Sequence, residues 1–239
     1  MVFQFQKSIE NMYQTKLEVI VLSKHQNILD EFLSGFKPTT EKFTNLKLHI
    51  LQGENFGASA INPILIDAYK SGTFAFGVLN DDLWFVEGWL EDVVDKLQIY
   101  DAASPGYIET ENFEKFLNAI RLTDKEEGVV EHFYGPCGFF KTNLFREIGL
   151  FDERFSWSCD DLDLALRIKL NGKKSGTSKK ITIAHLVGAT RNKSNQSISE
   201  WHTASDIAKQ QFYDKHGYFS YRKIREEYRI AHQYFRGFK

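Results

Sequence analysis

Apolar runs of two kinds alternate along the first hundred residues. Leu17-Glu18-Val19-Ile20-Val21-Leu22 is β-branched and apolar without a helical period, which predicts a buried strand. Ile28 to Phe36 places Ile28, Phe32 and Leu33 on one face and predicts a helix. Leu46-Lys47-Leu48-His49-Ile50-Leu51 alternates and predicts a second strand. A turn at Asn55-Phe56-Gly57-Ala58 leads into a helix over 58–69. Phe74-Ala75-Phe76-Gly77-Val78-Leu79 predicts a third buried strand, which stops at Asn80-Asp81-Asp82. Residues 88–97 predict a helix with Trp89, Leu90, Val93, Val94 and Leu97 on one side.

This rhythm predicts an α/β fold, with a mostly parallel central sheet flanked by helices. Ligands of such sheets bind outside the carboxyl ends of the strands, where Asn80-Asp81-Asp82 would lie. Residues 100–130 show little beyond a short helix over 112–120. Short helices are expected over 142–148 and 161–170, the second carrying Leu162, Leu166 and Leu170 at helical spacing. The run Gly172 to Lys180 reads as a basic, flexible loop, and Ile181-Thr182-Ile183-Ala184-His185 as a strand ending on a histidine. Two C-terminal helices are expected over 199–213 and 220–235, each opening on a serine able to cap it. The expected organisation is a domain over 1–196 and a helical extension over 197–239 packed on it.

Composition narrows the class. The 239 residues are 42% hydrophobic and 26% charged, as in a globular protein, and the net charge of −2 argues for no particular partner. Two cysteines, Cys137 and Cys159, exclude a disulfide framework and a Cys-rich zinc module and fit a reducing compartment. No apolar run approaches the roughly 18 residues of a membrane helix. Residues Met1 to Lys7 lack the apolar core of a secretory signal, so the expected location is cytoplasmic. The charge is uneven. Residues 215–239 hold seven Lys/Arg and two Glu, a net +5 that leaves −7 on the rest. Arg222, Arg225, Arg229, His232 and Arg236 form one helical stripe beside an apolar one of Tyr221, Ile224, Tyr228, Ala231 and Phe235. The basic stripe reads either as a solvated face or as a contact for an anionic surface.

Three clusters carry chemistry. Adjacent carboxylates at Asp81 and Asp82 repel unless a cation or hydrogen bonds offset them, and oxygen ligands suit Mg²⁺ or Mn²⁺ on a phosphate. Asp160-Asp161-Leu162-Asp163 can cap a helix or supply a general base. His185 at a strand end is a structural imidazole or a Mn²⁺-type ligand. Arg191 and Lys193, in a polar loop, suit a diphosphate.

Taken in order, these blocks resemble the GT-A fold glycosyltransferases, specifically the large inverting family 2. The likeness spans about residues 46–190. It rests on Asn55-Phe56-Gly57 with Ala58 and Asn62; on Phe76 to Asp82 followed by Gly88-Trp89-Leu90; and on Gly135-Pro136-Cys137-Gly138-Phe139-Phe140. It continues through Phe145 to Phe155, Asp160 to Arg167, and His185 with Gly188 and Thr190. The resemblance implies a sugar transferred with inversion from a nucleotide-diphosphate donor, most commonly a UDP-sugar, to an acceptor hydroxyl. It implies Asp82 and His185 at a Mn²⁺ or Mg²⁺ ion, and Asn55, Asn80, Asp81, Arg191 and Lys193 around the donor. Asp161 would be the base, with Asp160 as fallback. Gly135, Cys137, Gly138, Arg225 and Arg229 would lie toward the acceptor, and Arg167 would buttress the acidic loop.

The chain departs from that pattern in two places. Asn80 stands where a strict DXD motif has Asp. The N-terminus offers either Leu17 to Leu22 as the first strand, or a trimmed strand over 2–5 and a helix over 7–13 ahead of it; the second ordering is preferred. The acceptor stays open between hydroxymethylated DNA, an anionic cell-surface glycan and a lipid-linked acceptor beside a membrane headgroup. Two other readings compete. One is a non-catalytic sugar-nucleotide-binding module of the same fold. The other is a nucleotidyltransferase, which would need a glycine-rich loop that Ser23-Lys24-His25-Gln26 does not supply.

Overall fold

The computed structural model describes residues 10–53, 57–155, 158–186 and 198–238, with the side chains of 198–201 left aside. An eight-stranded mixed sheet runs in the order β2-β1-β3-β7-β5-β8-β4, with β6 also on β8. The strands are β1 Leu17–Ser23, β2 Leu46–Gln52, β3 Ala75–Asn80, β4 Leu83–Phe85, β5 Ala102–Glu109, β6 Val129–Val130, β7 Cys137–Lys141 and β8 Ser175–His185. The helices are α1 Gln26–Thr40, α2 Ala58–Lys70, α3 Trp89–Lys96, α4 Phe113–Thr123, α5 Leu144–Ile148, α6 Asp160–Leu170, α7 Ile198–His216 and α8 Tyr218–Arg236. β1, β2, β3, β5 and β8 point one way and the shorter β4, β6 and β7 the other, so the sheet is mostly parallel with antiparallel insertions. Among the described residues, no helix is long and apolar enough to cross a membrane.

Each face of the sheet carries its own core. Leu17, Val19 and Val21 point to one side, where Phe32 and Phe36 of α1 and Trp89 of α3 cover them. Ile20 and Phe76 point to the other, under Ile61 and Leu65 of α2, Leu162 of α6, Phe212 of α7 and Ile224 of α8. This period-two division explains why β1 reads as continuously apolar: a strand covered on both faces has no polar side to show. Its one acid, Glu18, is buried and engaged by Thr73 (2.7 Å) and His49 (2.8 Å). Burial pushes the Glu18 carboxyl up, but those hydrogen bonds and the charge of Lys47 hold it below the usual range.

Both edges of β1 are taken by the parallel β2 and β3, and the expected strand over 2–5 lies outside the described residues. Other expectations are corrected. The supposed loop Gly172 to Lys180 is largely strand, because β8 begins at Ser175 and buries Thr177 and Ser178 between β5 and β6. β5 was illegible because Pro105-Gly106 reads as a turn. In fact a Cβ at Gly106 would collide with the Lys180 carbonyl, so glycine permits the closest approach of the two strands. α8 is preceded by Gly217 with no side-chain cap, and Ser220 lies inside the helix.

A buried ion cluster ties the C-terminal helices to this frame. The Asp163 carboxylate on α6 accepts from Arg167 Nε (2.8 Å), Lys215 Nζ (2.6 Å) and His216 Nε2 (2.6 Å). Lys215 also reaches Asp152 (2.7 Å), and Arg167 donates to the carbonyls of Ile148 and Gly149. Deleting the central charge strands several cations in a desolvated place. Asp163→Asn is expected to destabilise the fold by about 3 kcal/mol, read as a lower urea midpoint. A loss below about 1 kcal/mol would show that the cluster does not anchor α7.

Candidate active site at the carboxyl edge of the sheet

The antiparallel β7 brings its own beginning to the edge where β1, β3, β5 and β8 end. Leu79 pairs with Cys137, Leu22 with Asn80, and Glu109 and Leu83 with His185. The segment Tyr134-Gly135-Pro136 crosses that edge, and the Asn80 amide donates to the Pro136 carbonyl (2.9 Å).

On one side of this segment stand Asp82 and His185. Asp82 is 5% exposed, and its Oδ1 lies 3.2 Å from His185 Nε2 without the alignment of a hydrogen bond. The other ring nitrogen, Nδ1, meets the Tyr134 hydroxyl at 2.6 Å. Tyr134 is buried, and burial first, then the nearby Tyr107, raises its hydroxyl well above the usual range, so it keeps its proton. A neutral phenol both donates and accepts, so it can hold either imidazole tautomer. Asp81 is engaged by another strand: its Oδ2 accepts from Ser23 Oγ at 2.6 Å in a buried contact. The two adjacent carboxylates thus face different surroundings, which removes much of their repulsion.

On the other side stand Asp160 and Asp161 at the start of α6. Gly135 presses against Asp161. A Cβ there would lie 2.7 Å from Asp161 Oδ2, so only glycine lets this backbone pass. Asp161 Oδ1 accepts from the amide of Leu162 (2.8 Å), a helix-end interaction that favours the ionised form. Desolvation and then the Asp161 charge push the Asp160 carboxyl up to about 7. Desolvation also raises Asp161, against the Leu162 amide and the charge of Arg225. The preceding Cys159 has φ 69°, the left-handed region, and is the one non-glycine residue there among the described residues. Such strain costs about 1–2 kcal/mol and is tolerated where surrounding structure imposes it.

The remaining expected residues divide. Asn55, Arg191 and Lys193 lie outside the described residues. Arg225 lies close enough for its charge to act on Asp161, and Arg229 pairs with Glu226 (2.6 Å) on the surface. Two acceptor-side assignments are corrected. Cys137 is fully buried in the core, and Gly138 is packed beneath the rings of Phe140 and Phe133, because β7 is an interior strand. His232 leaves the basic stripe, being buried, hydrogen-bonded to the Tyr107 hydroxyl and 3.3 Å from Glu109. Asn62 is a structural clamp that donates to the Phe151 carbonyl and accepts from its amide. Tyr134, Ser23, Tyr107 and Glu109 were missed. Each is a single residue whose role depends on a partner at least 51 positions away.

Asp82 and His185 offer one carboxylate oxygen and one imidazole, a donor set that suits Mn²⁺ or Mg²⁺ when phosphate oxygens and water complete the sphere. Among the described residues no group of three His, Cys, Asp or Glu forms a closed metal cage. An open pair fits an ion bound together with its substrate.

Comparison with known proteins adds little. No family model matches the chain, and no curated protein is similar to it. Among solved structures, the crystal structure of A197 from STIV is similar at 14% identity and a TM-score of 0.47, over 72% of this chain and 86% of that one.

Proposed function

We propose that this chain is an inverting, metal-dependent glycosyltransferase that uses a nucleotide-diphosphate sugar, with UDP as the first carrier to test. One observation carries the reading: two acidic places of different character flank a single segment, Tyr134-Gly135-Pro136, at the carboxyl edge of the sheet. The α/β fold with a ligand edge at the strand ends supports it, as does the ordered set of motif residues.

In this reading Asp82 and His185 hold the divalent ion, with Tyr134 orienting the imidazole from behind. A bound ion of this kind supplies positive charge to the diphosphate as it departs. Asp81, fixed by Ser23, and Asn80 line the donor side. The acceptor oxygen attacks the anomeric carbon from the face opposite the diphosphate. The bond to the diphosphate breaks, and its electron pair leaves with that group. The acceptor proton passes to the Asp161 carboxylate. The Asp161 charge keeps a proton on Asp160 in the same desolvated place, so the pair carries a single negative charge.

Asp82→Asn and Asp161→Asn should each lower transfer from a UDP-sugar in the presence of Mn²⁺ by about 10²-fold or more, measured as UDP release. Wild-type rates in both variants would remove the assignment.

The acidic pair also sets a pH dependence. Between the ordinary carboxylate value of 3.8 and about 7, the folded chain keeps a proton on Asp160 that the unfolded chain has released. Stability is therefore full at the acid end of that window and declines as pH rises through it. Asp160→Asn should flatten this slope in urea titrations at pH 5 and pH 8. A slope between pH 5 and pH 8 that is unchanged in the variant would show that Asp160 is not the group titrating there.

A further inference from the structure

α8 presents one continuous face to a groove of about 750 Å³. Tyr218, Tyr221, Arg225, Tyr228 and Arg236 follow one another along it, with the buried His232 at its floor. From Tyr218 to Arg236 the face is about 27 Å long at 1.5 Å per residue. The groove is open to solvent along this length, so an extended chain can lie in it.

Its charge and its rings are interleaved. Arg222 and Arg229 also line the slot, so four guanidinium groups fall within about 21 Å. Glu226 is the one acid in the lining, and it is paired with Arg229. Arg222, Arg225 and Arg236 form no ion pair among the described residues. Arg222 sits 5.8 Å from the centre of the Tyr218 ring and Arg225 5.4 Å from that of Tyr228, so flat cationic and aromatic surfaces alternate. The helix is a firm platform, since Ile224, Ala231, His232 and Phe235 are buried beneath it. Arg225, halfway along, is near enough for its charge to act on Asp161, so the slot runs beside the acidic pair, which is not itself part of the lining.

We propose that this slot binds a single strand of nucleic acid, its phosphates on the arginines and its bases against the tyrosines, and carries it past the acidic pair at Arg225. Uninterrupted cations alone would suit any polyanion. Rings set between them suit a chain that carries both phosphates and flat bases. An anionic glycan has the charge without the bases. That the strand is the acceptor whose hydroxyl Asp161 deprotonates rests on the transferase reading; the binding itself does not.

The test is fluorescence polarisation of a labelled twelve-residue oligothymidylate with the full chain and no sugar nucleotide. Neutralising three or four phosphates should weaken binding by about 20- to 50-fold between 50 and 200 mM NaCl. Arg225→Ala should lower the slope of log affinity against log salt by about 0.7. Tyr218→Leu should weaken binding about tenfold with the slope unchanged, because stacking releases no counterions. Circular dichroism of both exposed-site variants confirms that they are folded. A sulfated glycan of equal charge that binds as tightly as the oligonucleotide would overturn the proposal, as would a Tyr218→Leu variant of unchanged affinity or binding indifferent to salt. Strand binding together with wild-type UDP release in Asp82→Asn and Asp161→Asn would support the slot while removing the transferase reading, so the two fail separately.

Discussion

The direction of one short strand governs everything at the functional edge. β7 runs antiparallel between β3 and β5, so its beginning, and not its end, emerges where the parallel strands finish. The preceding Tyr134-Gly135-Pro136 is thereby laid across the carboxyl edge. Three local contacts follow from that placement: the Pro136 carbonyl ends β3, the Tyr134 hydroxyl holds His185, and the bare α-carbon of Gly135 admits Asp161. A parallel β7 would send the same residues to the opposite side of the molecule.

The two acidic places are held by contrasting means. Asp81 and Asp82 follow a strand whose backbone is fully paired, and each finds a different neighbour, Ser23 or His185. Asp160 and Asp161 follow a left-handed Cys159 and share a single desolvated place, so one carboxyl resists ionisation. In the first arrangement the two carboxylates are kept apart by separate partners; in the second they stay together and one of them holds a proton.

The C-terminal helices are joined to this edge by polar as well as apolar contacts. Asp163 gathers Lys215 and His216 from α7, while His232 of α8 reaches Tyr107 and Glu109 of β5. Tyr107 stacks on Tyr134 with ring centres 3.5 Å apart, and Tyr134 in turn touches His185. α8 is therefore continuous, through buried rings, with the histidine beside Asp82. Buried polar groups of this kind tolerate little displacement, because each lost partner leaves a desolvated donor or acceptor.

Amino-acid order alone determined the elements whose pattern is local. β1, β3, α2 and α6 are legible because apolar residues repeat at the period of the element that buries them. Asn80-Asp81-Asp82 and Asp160-Asp161 are legible because clustered carboxylates are costly and stand at element ends. β5 and the first half of β8 were not legible. Their Pro105, Gly106 and Lys179-Lys180 mimic turns, and only the close approach of the two strands makes them sheet. Nor could order tell that Cys137 faces the core, that Asp81 answers to Ser23, or that Tyr134 serves His185. Those facts depend on which strand lies beside which, and strand neighbours are chosen by burial summed over the whole sheet, not by any short stretch of chain.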